Sequence, residues 1–188
     1  RPAIIVKGGE ASPFMCAPVW IAGKPPGRGT FSCCQRGHVM PDKDGKLCPI
    51  SCDKEHIGEV MWRILRTKLQ QESQSGRLEA YRKWCAIVPH VLQGLTKPEG
   101  AAEFFPSSVH EFLRLFRFQK PTAEEGKGGS GYSPLLLAAA SGNVPVVREL
   151  IEVHKANLHV RTTAVDTTIG FMDKGSTPLH AVMASCPP

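Results

Sequence analysis

Residues 131–151 read GYSPLLLAAASGNVPVVRELI and decide the fold of the C-terminal third of this 188-residue chain. Ser133 precedes Pro134, as an N-cap residue precedes a proline at the first helical position, where the missing N–H costs nothing. Gly142 suits the left-handed turn between two helices. We therefore expect a short apolar helix after Ser133 and a second helix over residues 144–154. The buried stripe of the second helix should consist of Val146, Val147, Leu150 and Ile151.

A second copy of this pattern begins 44 residues later, where residues 175–182 read GSTPLHAV. Both copies resemble the ankyrin repeat, whose T-P-L-H-x-A signature is matched at residues 177–182 except that Val182 replaces the final Ala. In the first copy Leu136 replaces the usual His and Lys155 the usual Gly, departures typical of a terminal capping repeat. The resemblance covers residues 131–188. It implies paired helices that begin an α-solenoid, and a function in protein binding.

The spacing of the two copies indicates an insertion, because the usual period is about 33 residues. The additional residues are expected at 160–174, which we call the finger. Insertions in repeat proteins form loops on one face, often the binding face. The alternative is an unconstrained surface loop. The candidate partner-binding residues of the finger are Arg161, Asp166, Phe171, Met172 and Lys174.

So short an array cannot bury both of its faces, since about three repeats are normally needed. Further repeats, another subunit or the helices upstream must therefore cover the exposed face. Residues 54–119 form a predicted helical unit of three helices, and the Gly-rich residues 120–131 a linker. The first helix should begin after an Asp53 N-cap and end near Gly76, and the second should end or kink at Pro89. Ser108 and Glu111 have the spacing of a capping box for the third helix.

Apolar positions at helical spacing define the buried face of each predicted helix. The first stripe consists of Ile57, Val60, Met61, Ile64, Leu65 and Leu69. The second stripe consists of Leu78, Tyr81, Trp84, Cys85 and Val88. The third consists of Val109, Phe112, Leu113 and Phe116.

Residues 1–53 are rich in Cys, Pro and Gly, which interrupt every candidate helix, so we expect an irregular segment with a few short strands. Extended pieces are plausible at residues 3–7 and 18–22, and Asp44-Gly45 favours a hairpin with a two-residue type I′ turn. The predicted fold class is therefore mainly α: an irregular N-terminal segment, a small helical unit, and ankyrin-like helix-turn-helix repeats over residues 132–188.

Residues 33–56 contain four cysteines and two histidines, whose side chains can bind a metal. The hypothesis of a zinc site at residues 30–56 implies a regulatory or enzymatic module that the repeats would target. A local disulfide between the first and second cysteine pairs, or unlinked thiols, are the alternatives, and we expect no other cofactor. The candidate ligands are Cys33, Cys34, Cys48 and Cys52, with His38 and His56 nearby.

The formal net charge of +6 is compatible with an acidic partner. The excess lies in the predicted helices, whose basic side chains, Arg82 among them, are expected on a solvated face. Arg63 and Arg66 there are further candidate partner-binding residues. The sequence argues against nucleic acid as the partner, because it has no arginine-rich run or base-stacking aromatic motif.

The whole sequence favours an interaction or scaffold protein, and one form of this is a peripheral subunit whose N-terminal segment lies along another subunit. We do not expect an enzyme. Cys85 and His90 are the candidates for a cysteine nucleophile and its base, but Cys85 lies on an apolar stripe and is expected in the core. No apolar run is long enough to span a bilayer, and the first 25 residues do not resemble a signal peptide. The compartment stays open, with a soluble or peripheral, intracellular protein favoured.

Overall fold

The computed structural model of the chain describes residues 27, 31–123, 131–163 and 173–185. The predicted fold class is confirmed: the described chain is mainly helical, with a two-stranded hairpin before the long helices and a helix pair at residues 134–152. The extended pieces expected at 3–7 and 18–22, and most of the linker, lie outside the described residues. In chain order the elements are α1 (Ser32–Gln35), β1 (Val39–Pro41), β2 (Leu47–Pro49), α2 (Asp53–Gln74), α3 (Leu78–Val91), a 3-10 turn (Ala102–Phe104), α4 (Val109–Phe116), α5 (Pro134–Ala140), α6 (Val144–Glu152) and α7 (Pro178–Ser185).

The hairpin of β1 and β2 is confirmed, but its predicted turn is wrong. The strands are antiparallel, and residues 42–46 connect them, so the loop is longer than the two residues expected. A type I′ turn needs positive φ at both central residues, whereas of Asp44 and Gly45 only Gly45 has it, at 78°. The carboxylate of Asp42 closes the loop instead, because it accepts the backbone N–H groups of Asp44 and Lys46, each at 2.9 Å.

Helix α2 begins one residue earlier than predicted, and its buried face is shifted from the predicted stripe: Leu65 and Leu69 are buried as expected, and Ile57 and Met61 are partly buried. Its N-cap is Cys52, so Asp53 is already helical. Val60 and Ile64, both on the predicted stripe, are each 55% exposed. Relative to the predicted stripe, the buried face is rotated toward Trp62. The indole N–H of Trp62 donates to the Glu99 carbonyl at 3.1 Å, in the loop before α4. The buried residues of α2 are Gly58, Trp62, Leu65, Leu69 and Glu72.

The end of α2 and the start of α4 lie where the sequence predicts them, whereas α3 does not end at its proline. Gly76, just after α2, has the positive φ (70°) expected of a helix C′ residue. Helix α3 continues past Pro89 to Val91, so the proline does not end it. Ser108 caps α4 by accepting the backbone N–H of Glu111 at 3.3 Å. The Glu111 carboxylate reaches back to the backbone N–H of Ser107 rather than to that of the cap, at 2.8 Å.

Arg82 corrects the expectation of a solvated basic face. It is only 7% exposed, and its guanidinium donates to the carbonyl oxygens of Phe116 (2.7 Å) and Arg117 (2.8 Å) at the end of α4. These carbonyls have no partner within the helix, so the buried charge is satisfied by groups that need donors. Arg82 therefore ties α3 to the C-terminal end of α4.

The helical unit and the repeat share one hydrophobic core. Helix α3 packs on α5 and α4 packs on α6, as one helix pair stacks on the next, while α7 packs on the other side of α5. Every residue of α5 is buried as a result. The upstream helices therefore cover the N-terminal side of the first repeat, which is one of the three possibilities that the sequence left open.

Candidate functional site

The two copies of the repeat pattern begin with the same backbone conformation. Gly131 and Gly175 have φ values of 77° and 87°, in the left-handed region that favours glycine. In the first copy the Ser133 hydroxyl accepts the backbone N–H of Leu136 at 3.2 Å. In the second copy Thr177 Oγ1 lies 2.7 Å from His180 Nδ1, so His180 serves as a hydrogen-bonding residue of the helix start.

The base of the finger is held together through Thr162. Its backbone N–H donates to the Ser176 carbonyl at 3.0 Å, and its own carbonyl accepts the N–H of Gly175 at 2.8 Å. Its hydroxyl donates to the Asp173 carbonyl at 2.5 Å and accepts the N–H of Ser176 at 2.9 Å. Thr162 is 2% exposed, so these bonds are protected from water. The finger therefore leaves and re-enters the repeat at one fixed point.

The predicted partner-binding residues fall into three groups. Arg161 and Lys174 are exposed at the base of the finger, and Arg161 donates to the Gly175 carbonyl at 3.1 Å. Arg63 and Arg66 are exposed on α2, which packs on α3 and is thus one layer removed from the repeat. Arg66 lines a groove with Tyr81 and Arg117, among other residues. The remaining predicted residues, Asp166, Phe171 and Met172, lie outside the described residues.

Helix α7 presents an apolar surface that its equivalent in the first repeat keeps covered. Leu135 in α5 is 2% exposed, whereas Leu179, the same position one repeat later, is 68% exposed. Ala139 is likewise 2% exposed and its equivalent Met183 72%. The difference arises because α5 lies between α3 and α7 and pairs with α6. The exposed side of α7 is thus a further candidate contact surface, at a face that so short an array was expected to leave uncovered.

A comparison with known families supports the repeat. Residues 130–160 match the family model of the ankyrin repeat, so the chain contains an ankyrin repeat there. This match covers α5 and α6 and ends where the finger begins. No curated protein and no solved structure matches the chain. Among the described helices, none combines the length and the apolar character that crossing a bilayer requires.

The second candidate site is a cluster of three thiols and one imidazole at the N-terminal end of α2. Cys33, Cys34, His38 and Cys52 each place one possible ligand atom within 4.8 Å of all the others. Three of the four cysteines proposed as zinc ligands therefore come together. Cys48 does not join them: it lies on β2, and its thiol is 3.6 Å from an Asp42 carboxylate oxygen. His56, on α2, is exposed and lies outside the cluster.

Local backbone geometry creates the cluster. After α1 the chain turns through Gly37 and His38, whose φ values are 64° and 60°. His38 is held in this conformation, uncommon for a residue with a side chain, by its N–H bond to the Cys33 carbonyl at 2.8 Å. Strands β1 and β2 then return the chain to the same place, where Cys52 occupies the N-cap position of α2. The hairpin thus brings Cys52 back to Cys34, with 3.7 Å between the sulfurs.

The surroundings shift the pKa values of Cys52 and Cys34 in opposite directions. The backbone N–H of Lys54 at the start of α2 is the main reason why the pKa of Cys52 is lowered to about 7. Desolvation, reinforced by the neighbouring thiols of Cys52 and Cys33, raises the pKa of Cys34 to about 11. Cys33 Sγ accepts the backbone N–H of Asp53 at 3.3 Å. Backbone N–H donors in the cluster therefore stabilise thiolates, whereas the close approach of the sulfurs to one another disfavours them.

The sequence contained a signal for His38. Cys34 and His38 are separated by three residues that include Gly37, a spacing within the range of zinc-binding pairs. His38 was therefore among the side chains that the sequence offered, although the four cysteines were the predicted ligands. Only the hairpin register shows why Cys48 cannot take the place of His38, since Cys48 pairs with Met40 in the middle of the strands.

Proposed function

We propose that this chain is a protein-binding module whose main contact surface is the finger at residues 160–174. The supporting observation is the anchoring of the finger: the buried Thr162 fixes both ends of the insertion to the start of α7. An anchored loop loses less conformational entropy on binding than a free one, which favours affinity. The ankyrin match supports a protein-binding role, and the enlarged spacing of the two copies supports the finger as the binding surface.

The composition of the finger indicates the kind of partner. Arg161 and Lys174 are balanced by Asp166 and Asp173, so the segment has no net charge, and it contains several apolar residues. Aromatic residues, Met and Arg are enriched in protein interfaces and supply most of their binding energy. We therefore propose that the finger binds an apolar surface of another protein rather than a strongly charged one. The side chains proposed to anchor this contact are those of Ile169, Phe171 and Met172.

Two further contacts belong to this proposal. Arg63 and Arg66 would reach an acidic part of a partner that extends beyond the repeat, since α2 is one layer away. The N-terminal segment, residues 1–53, would lie along another subunit if the chain is a peripheral part of a larger assembly. The finger remains the principal contact in either arrangement.

The proposal assigns the chain a binding role and no catalysis. The thiol of Cys85, five residues before His90 in the sequence of α3, is buried, and this burial raises its pKa to about 12. The thiolate is the reactive form of cysteine, and a pKa this high suppresses it near neutral pH. His90 is engaged with the Ala140 carbonyl at 2.6 Å. These two residues therefore suit a structural role.

Site-specific photocrosslinking tests the proposed surface. A photoreactive amino acid replaces Lys174, at the finger base, in the otherwise unchanged chain, and a matched control replaces the exposed Glu152 on α6. We expect one partner protein to crosslink from position 174 and not from position 152, and the purified partner to bind the unaltered chain directly. Equal crosslinking from both positions, or a partner that crosslinks only from position 152, would contradict the proposal.

A further inference from the structure

We propose that Cys33, Cys34, His38 and Cys52 bind one zinc ion, which fastens the N-terminal hairpin to the start of α2. The site is independent of the binding function proposed for the repeat. It differs from the ligand set suggested by the sequence in one position, because the imidazole of His38 takes the place of the Cys48 thiol.

The sulfur separations fit a tetrahedral metal site. Zinc–sulfur bonds of about 2.3 Å in a tetrahedron place neighbouring sulfurs about 3.8 Å apart. Cys33 Sγ and Cys34 Sγ are separated by 3.9 Å, and Cys34 Sγ and Cys52 Sγ by 3.7 Å. All four ligand atoms lie within 4.8 Å of one another. The side chains are therefore already close to the positions that coordination requires.

The imidazole supplies an independent observation. Nε2 of His38 is buried and makes no hydrogen bond of acceptable geometry in the part of the chain that is described, although the imidazole lies beside the Cys52 thiol. A buried polar atom without a partner costs free energy, so such atoms are rare and call for an explanation. Coordination of a metal ion would satisfy it. The backbone of His38 also adopts a left-handed conformation, of the kind found where a structure holds a functional side chain in place.

The start of α2 compensates the charge of the site. Three thiolates and a neutral imidazole around Zn²⁺ leave one net negative charge. The N-terminal end of a helix stabilises negative charge, and Cys52 is the N-cap of α2. The N–H of Asp53 donates to Cys33 Sγ at 3.3 Å, as outer groups often do to metal ligands. The protein thus provides for the negative charge as well as for the ligands.

The donor set determines the metal and the role. Three sulfurs and one nitrogen in a tetrahedral arrangement are typical of zinc. Four protein ligands leave no coordination position for water or substrate, so the site is structural rather than catalytic. A disulfide is the competing use of these thiols. The 3.7 Å between Cys34 and Cys52 is far longer than an S–S bond of about 2.05 Å, and pairing them would leave Cys33 and His38 unexplained.

Metal analysis of the full chain tests the proposal. The chain is purified under reducing conditions without a histidine tag, and bound zinc is measured by mass spectrometry. We expect one zinc per chain, and zinc affinity at least about 10-fold weaker in Cys34→Ser and His38→Asn. Asn tolerates the left-handed conformation of position 38, so this variant removes the ligand while retaining the turn. Cys48→Ser is the matched control and should keep its zinc.

X-ray absorption at the zinc edge of the unaltered chain provides a readout that does not depend on how the variants fold. Three sulfur ligands and one nitrogen ligand are expected. The proposal is overturned by a metal-free chain, by a disulfide between Cys34 and Cys52 that persists in reductant, by an unchanged zinc affinity in His38→Asn, or by zinc that is lost in Cys48→Ser.

Discussion

The imidazole Nε2 of His90, in α3, lies 2.6 Å from the carbonyl oxygen of Ala140, the last residue of α5. Two more bonds cross the same boundary: Asn143 Nδ2 donates to the Pro106 carbonyl at 2.7 Å, and the Val109 N–H donates to the Glu149 carboxylate at 3.1 Å. The helical unit is therefore fastened to the ankyrin repeat by polar bonds as well as by the shared core.

The bond from His90 predicts a pH-dependent stability. Burial lowers the pKa of His90 below its usual value, and the bond to Ala140 opposes this only in part. The unfolded chain takes up a proton near pH 6.5 while folded His90 stays neutral, so stability is lost as the pH falls below about 6.5. Urea unfolding at about pH 7.5 and pH 5.5 should show a smaller loss for His90→Gln than for the unaltered chain. An identical loss in both would contradict this role.

Gly131 and Gly175 form a matched pair for testing the finger base. A Cβ at Gly131 would lie 2.6 Å from the backbone oxygen of Arg161, whereas a Cβ at Gly175 meets no atom within 4 Å. Both have positive φ, so alanine strains either backbone by about 1–2 kcal/mol. Gly131→Ala should lower the free energy of unfolding by at least about 1 kcal/mol more than Gly175→Ala. Equal losses in denaturant titrations would mean that Gly131 does not pack against the finger base.

Lys155 carries a strain that glycine would remove. It stands where ankyrin repeats usually have Gly, and its φ of 51° is left-handed. Lys155→Gly should therefore raise the free energy of unfolding by up to about 1 kcal/mol, despite the greater entropy of glycine in the unfolded chain. Lys155→Ala removes the same charge but keeps a Cβ, and should bring no such gain. A gain in Lys155→Ala as large as in Lys155→Gly would show that charge, not backbone strain, is responsible.

Leu135 and Leu179 should differ sharply when each is replaced by Ala. Leu135→Ala removes a buried side chain and should cost about 2–5 kcal/mol of unfolding free energy. Leu179→Ala changes an exposed side chain and should stay within about 0.5 kcal/mol. Thermal and urea unfolding of the two variants measure this difference. A large cost for Leu179→Ala would mean that another surface covers α7 in solution, such as a second copy of the chain.

The sequence predicted those features that depend on short-range chemistry. Ser133 and Ser108 cap helices as expected, and Gly142 has the left-handed φ (69°) expected of it. In the predicted stripe of α6, Val146 and Leu150 are fully buried, while Val147 and Ile151 are partly buried against the core. These outcomes follow from hydrogen bonds and dihedral preferences within one or two turns of chain.

Features set by distant residues were missed. The face that α2 buries depends on Trp62 reaching Glu99, and a stripe drawn from α2 alone cannot contain that information. The position of Arg82 depends on the end of α4. For the cysteine cluster, the residues were identified but the register was not, and the register decides between His38 and Cys48.

The affinity of the partner for a chain with an altered finger tests the binding role most directly. Residues 164–172 are replaced by a Gly/Ser sequence of equal length, and residues 124–130 are replaced in the same way as the control. The dissociation constant for the crosslinked partner is then measured by calorimetry. The finger replacement should weaken binding at least about 10-fold, or about 1.4 kcal/mol, while the control leaves it unchanged. An unchanged dissociation constant for the finger variant, with its unfolding free energy preserved, would contradict the proposed function.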